Sequence, residues 1–296
     1  MSLVVNHNLM ANGIANALNS HYSNLSTSTQ RLSTGLRINS SADDAAGLAI
    51  RELMRSDITA MQQGIRNAND AISLIQTADG ALSIIDEKLI RMKELAEQAA
   101  TGTYDSTQRL MIESEYQQMA SEITRIANAT DFNGIHLLNG DLSSLSHNGK
   151  DLKATGQLKI HFGTGNDSAE DYYYIQIGTC TASAFGVGNQ ADIHSKAYTV
   201  STQDAAQHAL VGLTEAVVSK DKIRAHIGAI QNRLENTITN LTTQAENLQA
   251  SESRISDVDV ATEMTNFVRN QILTQSAVAM LSQANSLPQM AMQLIG

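Results

Sequence analysis

Residues 58–92 read ITAMQQGIRNANDAISLIQTADGALSIIDEKLIRM, and their apolar side chains fall on one stripe. Ile58, Met61, Ile65, Ala68, Ile72, Ile75, Ala78, Leu82, Ile85, Leu89 and Met92 follow one another in steps of three and four. That spacing places side chains on a single face of an α-helix. No break signal interrupts the pattern before about Ala100, and it reaches back to Asn39-Ser40-Ser41-Ala42-Asp43-Asp44. There Ser40 or Ser41 is expected to cap the helix, with Asp43 or Asp44 completing a capping box. At 1.5 Å per residue such a helix is roughly 80–90 Å long, which no compact globule needs.

The regions on either side extend the same reading. Upstream, Ala11, Leu18, Leu25 and Leu32 recur every seven residues, with Ala15, Tyr22 and Leu36 on the neighbouring stripe. This is a heptad seam, and Gly35 suits a left-handed C-cap behind it. Downstream, Thr101-Gly102-Thr103-Tyr104-Asp105 reads as a turn into a shorter antiparallel helix carrying Ile112, Tyr116, Met119, Ile123 and Ile126. Between about residues 131 and 196 Gly, Asn and Asp multiply, and Leu158–Phe162 and Tyr173–Ile177 alternate with period two. That segment is expected to hold a β-hairpin. Helical period returns near Asp204, and Ile227, Leu234, Leu241, Leu248 and Ile255 again recur every seven residues. A last helix, expected from about Ala261 to Leu287 and ending at Pro288, carries Met264, Phe267, Ile272, Val278 and Leu281 at helical spacing.

The expected fold is therefore mainly α: an elongated bundle of long antiparallel helices, with N- and C-terminal coiled-coil pairing and a small β-hairpin insert. Residues 1–43 with 257–296 would form the terminal coiled-coil domain. Residues 44–256 would form a rod-like helical bundle that includes the insert at about 131–196.

Composition narrows the function. The chain has 296 residues, 4% aromatic side chains, no Trp and one Pro, which suits uninterrupted helices better than an enzyme core. A net charge of −10 argues against a nucleic-acid binder. Cys180 is the single cysteine, so neither an intrachain disulfide nor a multi-cysteine zinc site is expected. The first residues lack the charged and apolar regions of a cleavable signal, and no run approaches a membrane span. Read alone, this points to the cytoplasm.

No motif suggests catalysis, a cofactor or a metal. Asp257-Val258-Asp259-Val260-Ala261-Thr262-Glu263 opens like a calcium loop but lacks the glycine at its sixth position and the distant glutamate. It reads instead as a helix start capped by Ser256 and Asp257. The eight histidines include no HExxH, and Cys180 has no His or Lys nearby in sequence to activate it. Met54, Met61, Met92, Met111 and Met119 sit at or near helical core positions.

The run Thr27 to Ile50, TSTQRLSTGLRINSSADDAAGLAI, closely resembles the N-terminal signature of bacterial flagellins. Ser253-Arg254-Ile255-Ser256-Asp257-Val258-Asp259, Ala261-Thr262-Glu263-Met264, Gln283-Ala284-Asn285 and Pro288-Gln289 resemble the C-terminal signature, and Asp131-Phe132-Asn133-Gly134 also looks like the family. The resemblance covers about residues 1–140 and 204–296 and implies a short form with a reduced central region. It further implies a subunit that polymerises with itself through its terminal helices, which are disordered in the free monomer. The polymerisation residues would be Leu18, Leu25, Leu32, Leu241, Leu248, Ile255, Met264, Phe267, Ile272 and Leu281. The product would be extracellular, exported by the flagellar type III pathway without a cleaved signal. Its implied partners are an export chaperone, the hook-associated junction and cap proteins, and the host Toll-like receptor for flagellin. The receptor patch carries over to Arg91, Leu95, Gln98, Ile112 and Glu115, expected as a surface stripe, while Ile90 and Met119 stand where strongly stimulating members carry polar and basic residues. A hook–filament junction protein is the alternative; it shares the N-terminal pattern but does not usually end like Leu281-Ser-Gln-Ala-Asn-Ser-Leu-Pro-Gln.

Overall fold

The computed structural model of the chain describes residues 8–149, 155–168, 170–192 and 194–295, with backbone alone at 155, 287–289 and 291–295. In chain order the elements are α1 (Leu9–Thr34), α2 (Ala45–Ala100), α3 (Ser106–Ala129), β1 (Asp131–Phe132), β2 (Ile135–His136), β3 (His147–Asn148), β4 (Thr155–Gly156), β5 (Leu158–His161), β6 (Tyr172–Ile175), α4 (Ala182–Phe185), α5 (Gln203–Ser256) and α6 (Val260–Ile295). The fold is mainly α, with long antiparallel helices and small antiparallel hairpins. The chain divides into two compact units, Thr59–Ala245 and Met1–Ile58 with Glu246–Gly296.

In the larger unit, the stripe that opened the sequence reading is the core. Ala68, Ile75, Leu82, Ile85, Leu89 and Met92 of α2 are fully buried with Tyr116 and Ile123 of α3 and Leu213 and Leu234 of α5. Each such aliphatic side chain contributes about 1.5–3 kcal/mol by leaving water. Helix α3 folds back on α2: the Arg109 guanidinium donates to the carbonyls of Ala99 (3.0 Å) and Thr101 (2.9 Å). Helix α5 runs antiparallel to α2, since Asp79 pairs with Arg224 (2.7 Å) and Asp86 with Lys220 (2.6 Å). Lys220 is 2% exposed and also meets Asp221 at 2.7 Å. Burial alone lowers its pKa, but the hydrogen bonds its ammonium donates to Asp221 and Asp86 outweigh that and raise it.

The expected hairpin is β5–β6, pairing Leu158 with Ile175 through His161 with Tyr172. It docks on α2 through Gly64, where a β-carbon would collide with the Phe162 backbone. Asn67 Nδ2 donates to the His161 carbonyl at 2.8 Å beside that contact. Phe162 packs on Tyr173 with ring centroids 4.6 Å apart, and the Arg233 guanidinium lies 3.5 Å above the Tyr173 ring. The β1–β2 turn places Asn133 (φ 52°) and Gly134 (φ 78°) in the left-handed region, the pair a tight hairpin turn requires.

In the smaller unit α1 ends as expected at Gly35, whose φ of 73° lets its N–H reach the Arg31 carbonyl. Three details differ from the sequence reading. The cap of α2 is Asp44, which accepts from the Gly47 N–H at 2.8 Å; Ser40 is instead drawn into the preceding turn by Asp43, which accepts from its N–H (2.9 Å) and hydroxyl (3.1 Å). The cap of α6 is Asp259, accepting from Ala261 (3.0 Å) and Thr262 (3.2 Å), because Ser256 closes α5 and Asp257 bridges to Leu36. Finally, α6 does not end at Pro288 but continues through it to Ile295. A proline removes one helical N–H, and the carbonyl it would have served, that of Ala284, accepts from Asn8 Nδ2 instead.

Candidate assembly interface

Helices α1 and α6 pack against each other. Asn8 meets Ala284 at one end and Gly35 accepts from Val258 at the other (3.0 Å), so the pair is antiparallel. The closed end is stitched by Arg37, whose N–H donates to the Ser256 carbonyl and whose guanidinium donates to that of Ile255. Along α1, Leu18, Leu25 and Leu32 are half-buried and Ser28 is buried. Along α6, Glu263, Phe267, Asn270, Thr274, Ala277, Leu281 and Ala284 are buried or half-buried, alternating in steps of four and three. This is a heptad seam with small residues at several positions, which admits close backbone approach. Among its polar members Thr274 donates to the Asn270 carbonyl at 2.7 Å, and Glu263 lies 3.8 Å from Arg31, whose Nε is buried without a hydrogen-bond partner among the described residues.

Outside the seam α6 also carries an apolar row. Val260, Met264, Val268 and Ile272 follow at four-residue steps and are all exposed, Ile272 by 56%. Val278 and Met280 are exposed too. An apolar row outside the seam is surface that marks a further contact, and among the described residues only the α1 side of α6 is covered.

The sequence-predicted polymerisation residues therefore separate. Leu18, Leu25 and Leu32 on α1 and Phe267 and Leu281 on α6 line the seam, whereas Met264 and Ile272 face solvent. On α5, Leu248 and Ile255 are half-buried in the same unit. Leu241 is buried in the larger one. The sequence reading grouped Met264, Phe267, Ile272, Val278 and Leu281 by helical spacing, and the structure divides that group between the seam and the exposed surface. Val260, Val268 and Met280 were missed, although their four-residue steps and apolarity were the available signal.

The five positions that the resemblance carried over as a receptor patch separate as well. Arg91 bonds Glu115 (2.7 Å) and Glu94 (2.9 Å) at the surface, and Glu115 first, then Glu94, raises its pKa. Gln98 is exposed and donates to the Tyr104 hydroxyl at 2.9 Å. Leu95 and Ile112, 1% and 8% exposed, belong to the core. The expected surface stripe is thus corrected to Arg91, Gln98 and Glu115, because α2 is covered over a wide arc by α3 and α5 rather than on one narrow face. Tyr116, one turn on from Ile112, is buried with its hydroxyl on the Ala197 carbonyl at 2.7 Å, and burial raises its pKa.

Among the described residues, no group of three His, Cys, Asp or Glu side chains could hold a metal ion, and no helix is long and apolar enough to cross a membrane. Cys180 is fully buried, which pushes its thiol up to about 12. What the chain offers is helical surface.

Long helices paired at their two ends, with an uncovered apolar ridge, define a helical structural subunit. The family model for the bacterial flagellin N-terminal helical region matches residues 5–143, and that for the C-terminal helical region matches residues 210–295. The chain belongs to the bacterial flagellin family, a family of filament-forming structural proteins and not of enzymes. It is 39% identical to flagellin FlaB2 of Treponema pallidum (strain Nichols), covering 99% of this chain and all of that one. It is 40% identical to a flagellin of Bacillus subtilis (strain 168), covering 98% and 99%. The solved structure of a putative flagellar hook-associated protein from Vibrio parahaemolyticus shares the fold at a TM-score of 0.54 and 14% identity, over 73% of this chain and all of that one.

Proposed function

We propose that this filament subunit polymerises by burying the outward ridge of α6 against other copies of itself. The observation that supports this is the ridge, since Val260, Met264, Val268 and Ile272 lie open to water on a helix whose seam is already covered by α1. Each side chain buried contributes about 1.5–3 kcal/mol before ordering costs. A contact between unlike surfaces that does not close on itself propagates as a helix, which is the geometry a flagellar filament needs. Leu18, Leu25, Leu32, Phe267 and Leu281 hold the pair of helices that presents the ridge, and Leu248 and Ile255 of α5 are half-buried in the same unit.

The test is assembly of purified chain in salt, read by electron microscopy. Met264→Glu with Ile272→Glu should give a soluble helical protein that forms no filaments. Normal filaments from that double variant would refute the ridge as the contact.

We propose the finer biology from the likeness to the family. The chain is exported through the flagellar type III channel in the hold of a chaperone. It joins a filament bounded by junction and cap proteins outside the cell, and its Arg91, Gln98 and Glu115 surface is a ligand for the host flagellin receptor.

A further inference from the structure

We infer that Asn8 is a positioning residue for assembly: its side-chain amide replaces the hydrogen bond that Pro288 removes from α6, and so sets the register in which the two terminal helices pair. The inference rests on the reading that pairing of α1 with α6 presents the assembly surface.

The geometry uses both ends of one small side chain. Asn8 Oδ1 accepts from the Ala11 N–H at 3.0 Å and caps α1, while Asn8 Nδ2 donates to the Ala284 carbonyl at 2.8 Å. In a regular helix the carbonyl of residue 284 would accept from the N–H of residue 288. Residue 288 is proline, the only one in the chain, and has no N–H to give. Backbone 284–295 is nevertheless helical, and Ala284 is 3% exposed, so its carbonyl has little access to water as a substitute partner. One polar group short of a donor thus meets one cap with a spare donor, 276 residues apart in sequence.

This pairing discriminates between registers in a way the apolar seam does not. Heptad contacts between small residues change little when one helix slides by a turn or a heptad. A slid α1 would bring the Asn8 amide to a carbonyl already served by its own helix, and would leave the Ala284 carbonyl buried and unpaired. A polar pair inside a coiled coil fixing its register is the best attested use of such groups. Proline at 288 is then not a fault that α6 tolerates but the source of the unfilled carbonyl that α1 recognises.

A double-mutant cycle tests this on the full chain. Asn8→Ser retains a good helix cap but is too short to reach Ala284. Pro288→Ala restores the N–H within α6 and makes the Asn8 donor unnecessary. The first readout is the critical concentration for salt-induced assembly. Asn8→Ser alone should raise it roughly fivefold or more, from one unsatisfied buried carbonyl. In the Pro288→Ala background the same substitution should change it by less than about twofold. The second readout is amide hydrogen exchange in residues 284–295, which Asn8→Ser should accelerate only where Pro288 is present. An equal effect of Asn8→Ser in both backgrounds, or none in the natural one, overturns the inference. If wild-type chain forms no filaments, the assembly reading fails. The cycle is then read from thermal loss of far-UV circular dichroism in the free chain, where the same dependence on Pro288 must appear.

Discussion

Replacing Gly64 with alanine should destabilise the larger unit although alanine is the better helix former. A β-carbon built on Gly64 would lie 2.7 Å from the Phe162 carbonyl carbon and 2.8 Å from its Cα, and closer still to the oxygen. Carbon atoms in comfortable contact stand about 3.5–4.0 Å apart, so the β5–β6 hairpin must retreat by roughly 1 Å. That movement also lengthens the Asn67–His161 hydrogen bond, now 2.8 Å, and disturbs the stack of Phe162 on Tyr173. Overpacking of this kind costs about 1–3 kcal/mol and a lost hydrogen bond about 1 more. The gain in helix propensity offsets about 1 kcal/mol, leaving a net loss of about 1–3 kcal/mol. Gly80, on the same helix, is the control: a β-carbon there meets nothing within 4 Å. Gly80→Ala should therefore stabilise by about 0.4–1 kcal/mol. Urea unfolding of monomer in low salt, followed by near-UV tyrosine dichroism, reads both, since Tyr173 sits at the docking contact. Stabilisation by Gly64→Ala equal to that by Gly80→Ala would refute the claim that close backbone approach holds the hairpin on α2.

Three further outcomes are expected. The Asp259 carboxylate, held below its ordinary pKa of 3.8 first by the Thr262 N–H and hydroxyl, stabilises α6 fully above that value and loses its contribution as pH falls through the lowered one. Filaments should therefore loosen in acid, and Asp259→Asn should flatten that pH dependence in a light-scattering titration; an unchanged acid profile counts against the cap. Cys180 should resist alkylation by iodoacetamide in native protein and react on unfolding, because burial keeps the thiol protonated; fast native labelling would show an open site. Arg91→Ala with Glu115→Ala should reduce signalling in a flagellin-receptor reporter assay while leaving the urea midpoint nearly unchanged, as loss of an exposed ion pair does. Wild-type signalling from that variant would show the pair to be only a solvated contact.

Much of the fold could be read from residue spacing, because long helices repeat their pattern many times. The Ile58–Met92 stripe, the Leu18-Leu25-Leu32 seam and Gly35 each encode one local preference that nothing in the tertiary structure opposes. The helix starts were harder. Ser40, Ser41, Asp43 and Asp44 all have capping side chains, and which one serves depends on a turn that only the folded loop defines. Pro288 was read by its local cost, and its remedy lies on a helix at the other end of the chain. Leu95 and Ile112 were expected at the surface through the family resemblance alone, whereas Leu95 stands three residues beyond Met92 on the apolar stripe and Ile112 opens the apolar face of α3, so their own spacing marks them as core. Met264, Ile272 and Val278 could be read from the sequence as apolar residues at helical spacing, but that they stay uncovered within one chain depends on which side of α6 the partner helix takes.

The most direct test is a cryo-electron microscopy map of filaments assembled from the purified chain. The account predicts that Met264, Val268 and Ile272 are covered by neighbouring subunits while Leu18, Leu25 and Phe267 keep the α1–α6 seam found within one chain. A filament in which that ridge faces solvent, or in which α1 and α6 of one chain are apart, would contradict it.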